Sequence, residues 1–406
     1  MDEPPKHRPP NTSFKQQRLK AWQPILTAKS VLPTFFILGI LFAPLGGLLV
    51  WRNGQVTEMS FEYTDCESAT TRIEIPNVDF VHSSTLGGFE RPMYIISDAV
   101  QSVDPAEGSP AGTQPHTYPV KRCTIDLTIP VDLQPPVMMY YKLTNFYQNH
   151  RKYTKSLDYK QLTGQITGIS EIVGRKGCTI ESFPNNELIY PCGLIANSLF
   201  NDTIFGLTGV PVEADQPPVD YLFANKGIAS PADKGKFSKY GYTDLTSIHP
   251  PVNWRPRYPN GVYSDAFPPP DISTDEHFQV WMRTAGWSTF LKTYGRGSSV
   301  LPKGKYQLRI DMNFPIKTYG GKKFIVISTI GATGGRNNFL GIGYIVVAIL
   351  CAGLGVVFTA FHIAKPRIIG DHSKISFGGE ATVHTRAPNR ADDAGGNRIR
   401  SRYEDD

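Results

Sequence analysis

The sequence carries none of the short signatures that announce catalytic chemistry. It has no Gly-x-x-x-x-Gly-Lys-Ser/Thr phosphate loop, no His-Glu-x-x-His pair, no Gly-x-Ser-x-Gly elbow and no Cys-x-x-Cys. The glycine-rich Gly331-Ala332-Thr333-Gly334-Gly335 lacks the lysine that would follow in a phosphate loop, so it reads as a tether. The nine histidines show no ligand spacing. Asp275-Glu276-His277 is the densest polar triplet, yet neighbours on a helix point in different directions and do not share a site. The chain is therefore expected to be no enzyme and to need no cofactor. Charge is missing in two places: residues 31–51 and 339–361 contain no Asp, Glu, Lys or Arg, and His362 closes the second run. The net charge of +6 does not call for nucleic acid, because much of the basic excess lies in the tails.

Each uncharged run exceeds the ~20 residues that cross a bilayer as an α-helix at 1.5 Å per residue. Nothing comparable lies between them. The expected organisation is a cytosolic tail over residues 1–30, a transmembrane helix over 31–51, a lumenal or extracellular domain over 52–338, a second transmembrane helix over 339–363 and a disordered cytosolic tail over 364–406. A cleavable signal peptide competes for the first run, but residues 1–30 precede it and it exceeds a usual signal core. Orientation follows from Lys15, Arg18, Lys20 and Lys29 before the first span, against Arg52 alone close behind it. Both termini are thus expected in the cytosol.

Four cysteines fall in the central region: Cys66, Cys123, Cys178 and Cys192; Cys351 lies inside the second span. In an oxidising lumen four cysteines suggest two disulfides, for which three connectivities exist. Asn201-Asp202-Thr203 is the one sequon of this region and suits the same location.

The central region alternates with a period of two at Met59, Phe61 and Tyr63, at Ile125, Leu127 and Ile129, and at Tyr306, Leu308, Ile310 and Met312. That pattern marks strands with one buried face. The run 324–328 reads as a strand buried on both faces. One strand follows the first span and one precedes the second, so the ends of the domain are expected to pair. The fold class is accordingly a membrane protein with two transmembrane α-helices and a mainly antiparallel, sandwich-like β domain with long loops and short helices. Helices are expected over 194–200 and 276–291. Residues 211–218 and 250–270, rich in proline and glycine, read as ordered excursions.

The tail segment around Phe14, Lys15, Arg18, Leu19, Lys20 and Trp22 suits a short amphipathic helix at the membrane surface, capped by Thr12 or Ser13 and stopped by Pro24. Gly39, Ala43 and Gly47 form a small-residue stripe in the first span, and Ala348, Ala352 and Gly355 one in the second. Small residues let helices approach closely in lipid, either one another or those of another protein. The aromatic and basic stretch 140–153 reads as core or partner contact rather than as a polyanion site.

Several segments together resemble one family. They are Asn11-Thr12-Ser13-Phe14-Lys15-Gln16-Gln17 with Ala21-Trp22 and Pro24, the stretch 143–153, Tyr190-Pro191-Cys192-Gly193-Leu194-Ile195-Ala196-Asn197-Ser198, Trp281-Met282-Arg283-Thr284-Ala285, and Asn313-Phe314-Pro315. In this order and topology the chain is similar to the cell division control protein 50 and ligand-effect modulator family, the accessory subunits of type-IV P-type ATPase lipid flippases. The resemblance implies a non-catalytic subunit in a heterodimer with the ATPase's catalytic subunit, among membrane phospholipids and without nucleic acid. It implies roles in the partner's folding, export from the endoplasmic reticulum and transport cycle, and residence there, in Golgi or endosome, or at the plasma membrane. Carried over, Phe14, Lys15, Gln16, Gln17 and Trp22 would dock on the cytosolic side, and the disulfides would join Cys66 to Cys123 and Cys178 to Cys192. The alternative is a receptor-like membrane protein whose β domain captures a lumenal ligand.

Overall fold

The computed structural model of the 406-residue chain describes residues 10–20, 27–81, 90–178, 186–211, 219–331 and 334–366. The chain divides into two compact units, residues 39–349 and residues 1–38 with 350–406. The helices are α1 (Ala28–Gly54), α2 (Arg151–Thr154), α3 (Tyr159–Leu162), α4 (Ile169–Gly174), α5 (Leu194–Asn197), α6 (Pro231–Lys234), α7 (Glu276–Met282) and α8 (Phe339–Ala364). Helices α1 and α8 are long and apolar enough to cross a membrane, and the chain is an integral membrane protein.

The strands are β1 (Glu58–Glu62), β2 (Ile73–Glu74), β3 (Val78–Val81), β4 (Met93–Val103), β5 (His116–Ile129), β6 (Val137–Leu143), β7 (Thr203–Val210), β8 (Phe290–Gly297), β9 (Gly304–Met312) and β10 (Lys323–Thr329). Among the described residues they form two five-stranded sheets, ordered β3-β1-β10-β6-β8 and β2-β4-β5-β9-β7. All the ladders are antiparallel. Met59, Phe61, Met139, Tyr141, Ile325 and Ile327 of the first sheet share one core with Ile125, Leu127, Leu308 and Ile310 of the second, as in a β-sandwich.

The first strand after α1 and the last before α8 are neighbours, with Glu58 opposite Ser328 and Glu62 opposite Phe324. The pairing runs on toward the helices. The Thr57 N–H donates to Thr329 Oγ1 at 3.0 Å, and the Thr329 N–H to the Thr57 carbonyl at 3.0 Å. The alternation in β1 does not mark one solvated face, because Ser60 and Glu62 are buried along with Met59 and Phe61.

Two expected helices are corrected. The one over 276–291 ends at Met282, and from Phe290 the chain is a strand. Arg283 turns extended (φ −74°, ψ 93°), and the Nζ of Lys292 takes the carbonyls of Val280, Trp281 and Arg283 at 2.8, 3.0 and 2.5 Å. A lysine from the next strand thus satisfies carbonyls left free at the helix end. The second correction is the amphipathic helix of the tail: residues 10–20 contain a single hydrogen-bonded turn. In the middle domain, residues 212–218 of one expected excursion lie outside the described residues, whereas 250–270 contains short 3-10 turns.

Candidate functional site

The family-like segments of the central domain converge on one aromatic cluster. Phe146 packs against Trp281, Phe290, Phe314 and Tyr153, with ring centroids 5.7, 6.3, 5.8 and 6.0 Å away. Tyr141 stacks on Phe200 at 3.8 Å. Buried indoles need acceptors, and the Nε1 of Trp281 and of Trp254 donate to the carbonyls of Ile195 and Ala196 at 2.8 and 2.9 Å. Gly193 opens this segment at φ +102°, where a Cβ would lie 2.1 Å from the Ser156 carbonyl oxygen, so only glycine fits. In the aromatic stretch 140–153, Tyr141, Leu143, Phe146 and Tyr153 are therefore core, whereas Tyr147, His150, Arg151 and Lys152 are exposed.

Cys66 is bonded to Cys123, tying the turn after β1 to β5, and Cys178 is bonded to Cys192 at a sequence separation of 14. Asn201 precedes β7 and lines a cleft. Asp202, beside it, is a hub. Its Oδ2 accepts from Tyr63 Oη at 2.8 Å and from Lys323 Nζ at 2.7 Å; its Oδ1 accepts the N–H groups of Asn313 and Phe314, both at 2.6 Å. Burial, with Asp202 alongside, pushes the Tyr63 hydroxyl well above its ordinary range.

Asp275, Glu276 and His277 diverge. Asp275 Oδ1 accepts from the Phe278 N–H and caps α7. Glu276 accepts from the N–H groups of Ile228 and Ala229 and from Lys234 Nζ at 2.8, 2.9 and 2.8 Å. Burial opposes its charge, but these donors win and hold its carboxyl down to about 2. His277 lies against the Tyr294 ring at 4.5 Å, and burial pushes its imidazole down. Among the described residues no group of His, Cys, Asp and Glu could hold a metal ion.

Within residues 39–349 the helices meet at glycines. A Cβ on Gly46 would lie 2.8 Å from Ile345 Cγ1 and 2.9 Å from the Gly341 oxygen, and one on Gly341 2.7 Å from Val50 Cγ2. Phe42 and Tyr344 pack edge to face at 5.3 Å. Asn53, buried, accepts the Asn337 N–H at 2.8 Å and donates to Asn338 Oδ1, while Asn337 Oδ1 caps α8 through the Phe339 N–H. Of the expected stripe residues, Gly39 and Ala348 are buried, whereas Ala43 and Gly47 are exposed and a Cβ on Gly47 meets nothing within 4 Å. In the other unit Phe35 packs against Phe358, a Cβ on Gly355 would touch the Phe36 ring, and Ala352 is half-buried.

The tail turn has a specific architecture. The Lys15 N–H donates to Thr12 Oγ1 at 3.3 Å; the Gln17 N–H donates to the Phe14 carbonyl at 3.1 Å and the Arg18 N–H to the Ser13 carbonyl at 2.7 Å. Gln17 adopts φ +54°. These are the two bonds and the left-handed residue of a Schellman C-cap, which ends the helix after one turn. Phe14 is left 76% exposed, and Lys15 is exposed beside it. Trp22 lies outside the described residues.

Three groups escaped sequence reasoning. Gly46 and Gly341 sit one or more positions off the i+4 stripes. The asparagines at 53, 337 and 338 flank the apolar runs and could have been found as polar residues at both membrane exits. Trp287 is 81% exposed on a loop held by the 146–149 turn: the Phe146 N–H donates to the Ser288 carbonyl at 3.0 Å and Asn149 Nδ2 to the Gly286 carbonyl at 2.9 Å.

The family model for LEM3 (ligand-effect modulator 3) / CDC50 matches residues 49–368. The chain is 35% identical over 379 residues to the phospholipid-transporting ATPase accessory subunit CDC50 of Chaetomium thermophilum, covering 92% of each. It is 36% identical to the phospholipid-transporting ATPase accessory subunit CRF1 of Saccharomyces cerevisiae, covering 91% of this chain and 89% of the relative. It is 38% identical to cell cycle control protein 50A of Mus musculus, covering 86% and 88%. With two membrane-length helices, two antiparallel sheets and this coverage, the chain belongs to the ligand-effect modulator 3 and CDC50 family.

Proposed function

We propose that this chain is the non-catalytic accessory subunit of a phospholipid-translocating type-IV P-type ATPase, required for the partner's folding, its export from the endoplasmic reticulum and its transport cycle. The observation that carries this is full-length similarity to relatives named as phospholipid-transporting ATPase accessory subunits. The receptor reading has no such support.

The partner would be met at three depths. In the cytosol lies the turn of Phe14, Lys15, Gln16 and Gln17, with Trp22 beyond it. In the membrane lie the outward Ala43 and Gly47 of α1, together with Gly39, Ala348 and Ala352 where the two helices approach. In the lumen lies the β domain with Trp287. The basic residues before α1 favour cytosolic termini, and the bonded cysteines suit an oxidising compartment. The same orientation makes Asn201 a glycosylation acceptor. Residence in the endoplasmic reticulum, Golgi, endosome or plasma membrane follows the partner.

A subunit shifts a conformational equilibrium only by its difference in affinity between states. The β domain supplies constant affinity, and the tail turn, next to the cytosolic parts of the partner, discriminates between states. The test is removal of the chain from the cells that make it. Inward movement of a labelled phospholipid should fall and the ATPase should stay in the endoplasmic reticulum; unchanged transport and export would refute the reading.

A further inference from the structure

Residues 140–170 hold Lys142, Arg151, Lys152, Lys155 and Lys160 against one carboxylate, Asp158. That carboxylate is buried and already engaged, by two bonds of 2.9 Å from Arg175. The fold sorts the stretch residue by residue. Phe146, Gln148 and Tyr153 are buried. Gln148 Oε1 accepts the Ala285 N–H at 2.9 Å, and Tyr153 Oη meets Ser198 Oγ at 2.8 Å. Tyr147, Arg151, Lys152 and Lys155 are left on the surface.

The same turns carry two more rings to that surface. Asn145, left-handed at φ +54°, donates from Nδ2 to the Tyr319 carbonyl at 2.8 Å. The exposed Tyr319 ring packs edge to face on Phe146 at 5.2 Å. Trp287 stands on the loop that Phe146 and Asn149 hold. Three exposed rings thus stand among three cations on a framework of buried bonds. Tryptophan, tyrosine and arginine are the side chains that carry most binding energy between proteins.

The bilayer does not reach this patch. Leu143, which leads into it, lies opposite Lys323 at the start of β10, and Thr329 at the other end of that strand leads on to α8. Six steps along a strand at ~3.3 Å each separate the two levels by about 20 Å. A headgroup layer is only roughly 6 Å deep. The ligand is accordingly a polypeptide, and the charge of the patch makes it an acidic one.

We propose that Tyr147, Arg151, Lys152, Lys155, Trp287 and Tyr319 form the docking patch for an acidic lumenal loop of the partner ATPase. Arg151 offers a fork for a carboxylate, the lysines supply flanking charge, and the rings exclude water around the pairs. The proposal rests on the accessory-subunit reading given above.

The test uses the full chain, co-expressed with its ATPase and purified in mild detergent, and a water-soluble carbodiimide as zero-length cross-linker. The reagent activates a carboxylate, a lysine Nζ in contact displaces it to form an amide, and the carbodiimide leaves as its urea with the carboxylate oxygen. Lys305 and Glu90, an ion pair at 3.1 Å with both side chains half-exposed, serve as the internal control. Mass spectrometry should find Lys152 or Lys155 joined to an Asp or Glu in a lumenal loop of the ATPase. Trp287→Ala and, separately, Arg151→Glu should each lower that yield at least about fivefold, with the control cross-link and the melting midpoint unchanged. A control cross-link with neither patch lysine joined to the ATPase overturns the proposal, as does their joining to some other protein. A yield that neither substitution lowers does so too. If no ATPase accompanies the chain, the accessory-subunit reading fails and the proposal with it.

Discussion

Lys323 Nζ and Asp202 Oδ2 stand 2.7 Å apart with both side chains closed to solvent, 1% and 0% exposed. The pair links β10, which leads to the second membrane helix, to the sequon before β7. Lys323 Nζ also donates to the Phe314 carbonyl at 3.1 Å and lies 5.0 Å from the centroid of the Tyr63 ring.

Removing one partner of such a pair leaves a buried uncompensated charge, which costs about 3–5 kcal/mol. Asp202→Asn keeps the sequon as Asn-Asn-Thr, so its effect is separate from glycosylation. The purified complex should lose thermal stability by that order. Adding Lys323→Met should recover part of the loss, because an apolar replacement needs no counter-charge. A midpoint unchanged by Asp202→Asn would show the pair to be idle.

Stability should also vary with pH through Lys292. Burial, with Arg283 nearby, pushes its ammonium down to about 7 from an ordinary 10.5. The unfolded chain then binds more protons than the folded one between these values, so stability rises with pH across that window, by up to about 1.4 kcal/mol per unit. Below pH 7 the penalty is fully present. Glu276 acts at the acid end: its carboxyl, held at about 2 against an ordinary 4.5, contributes stability above 4.5 that is lost as pH falls toward 2. Unfolding midpoints of the wild type and Lys292→Met between pH 7 and 10 check the first limb; the variant should lose the slope.

The membrane glycines separate internal packing from partner contact. Gly46→Ala forces Ile345 or the Gly341 backbone to move and should destabilise the helix pair by about 1–3 kcal/mol, as overpacking does. Gly47→Leu, which meets open space, should leave the isolated subunit's melting unchanged and lower the amount of ATPase recovered with it. Equal effects of the two on melting would mean that Gly47 is internal.

The tail turn predicts opposite outcomes at one position. Gln17→Gly keeps the left-handed conformation without its steric cost of about 1–2 kcal/mol and should preserve lipid-stimulated ATPase activity. Gln17→Pro fixes φ near −65° and removes the N–H that Phe14 accepts, so it should impair activity with assembly intact, as should deletion of residues 1–24. Full activity in both would remove the tail from the cycle.

Much of the fold was legible where one residue's pattern decides its place. The two uncharged runs define α1 and α8, and alternation at Met59–Phe61, Ile125–Ile129 and Leu308–Ile310 marks β1, β5 and β9. What escaped depends on partners distant in sequence. The end of α7 is set by Lys292, whose charge reads as surface until three carbonyls surround it. The burial of Ser60 and Glu62 depends on β3 and β10 flanking β1. One residue along a helix turns its face by 100°, so the approach at Gly46 rather than Gly47 cannot be taken from spacing alone. The tail turn stops because Gln17 goes left-handed, a choice that composition favours for glycine and asparagine.

The most direct test is purification of the full-length chain from its native membranes in mild detergent, with mass spectrometry of what accompanies it. The account predicts a type-IV P-type ATPase recovered in equal stoichiometry. A chain that purifies alone and is stabilised by a small lumenal ligand would contradict it.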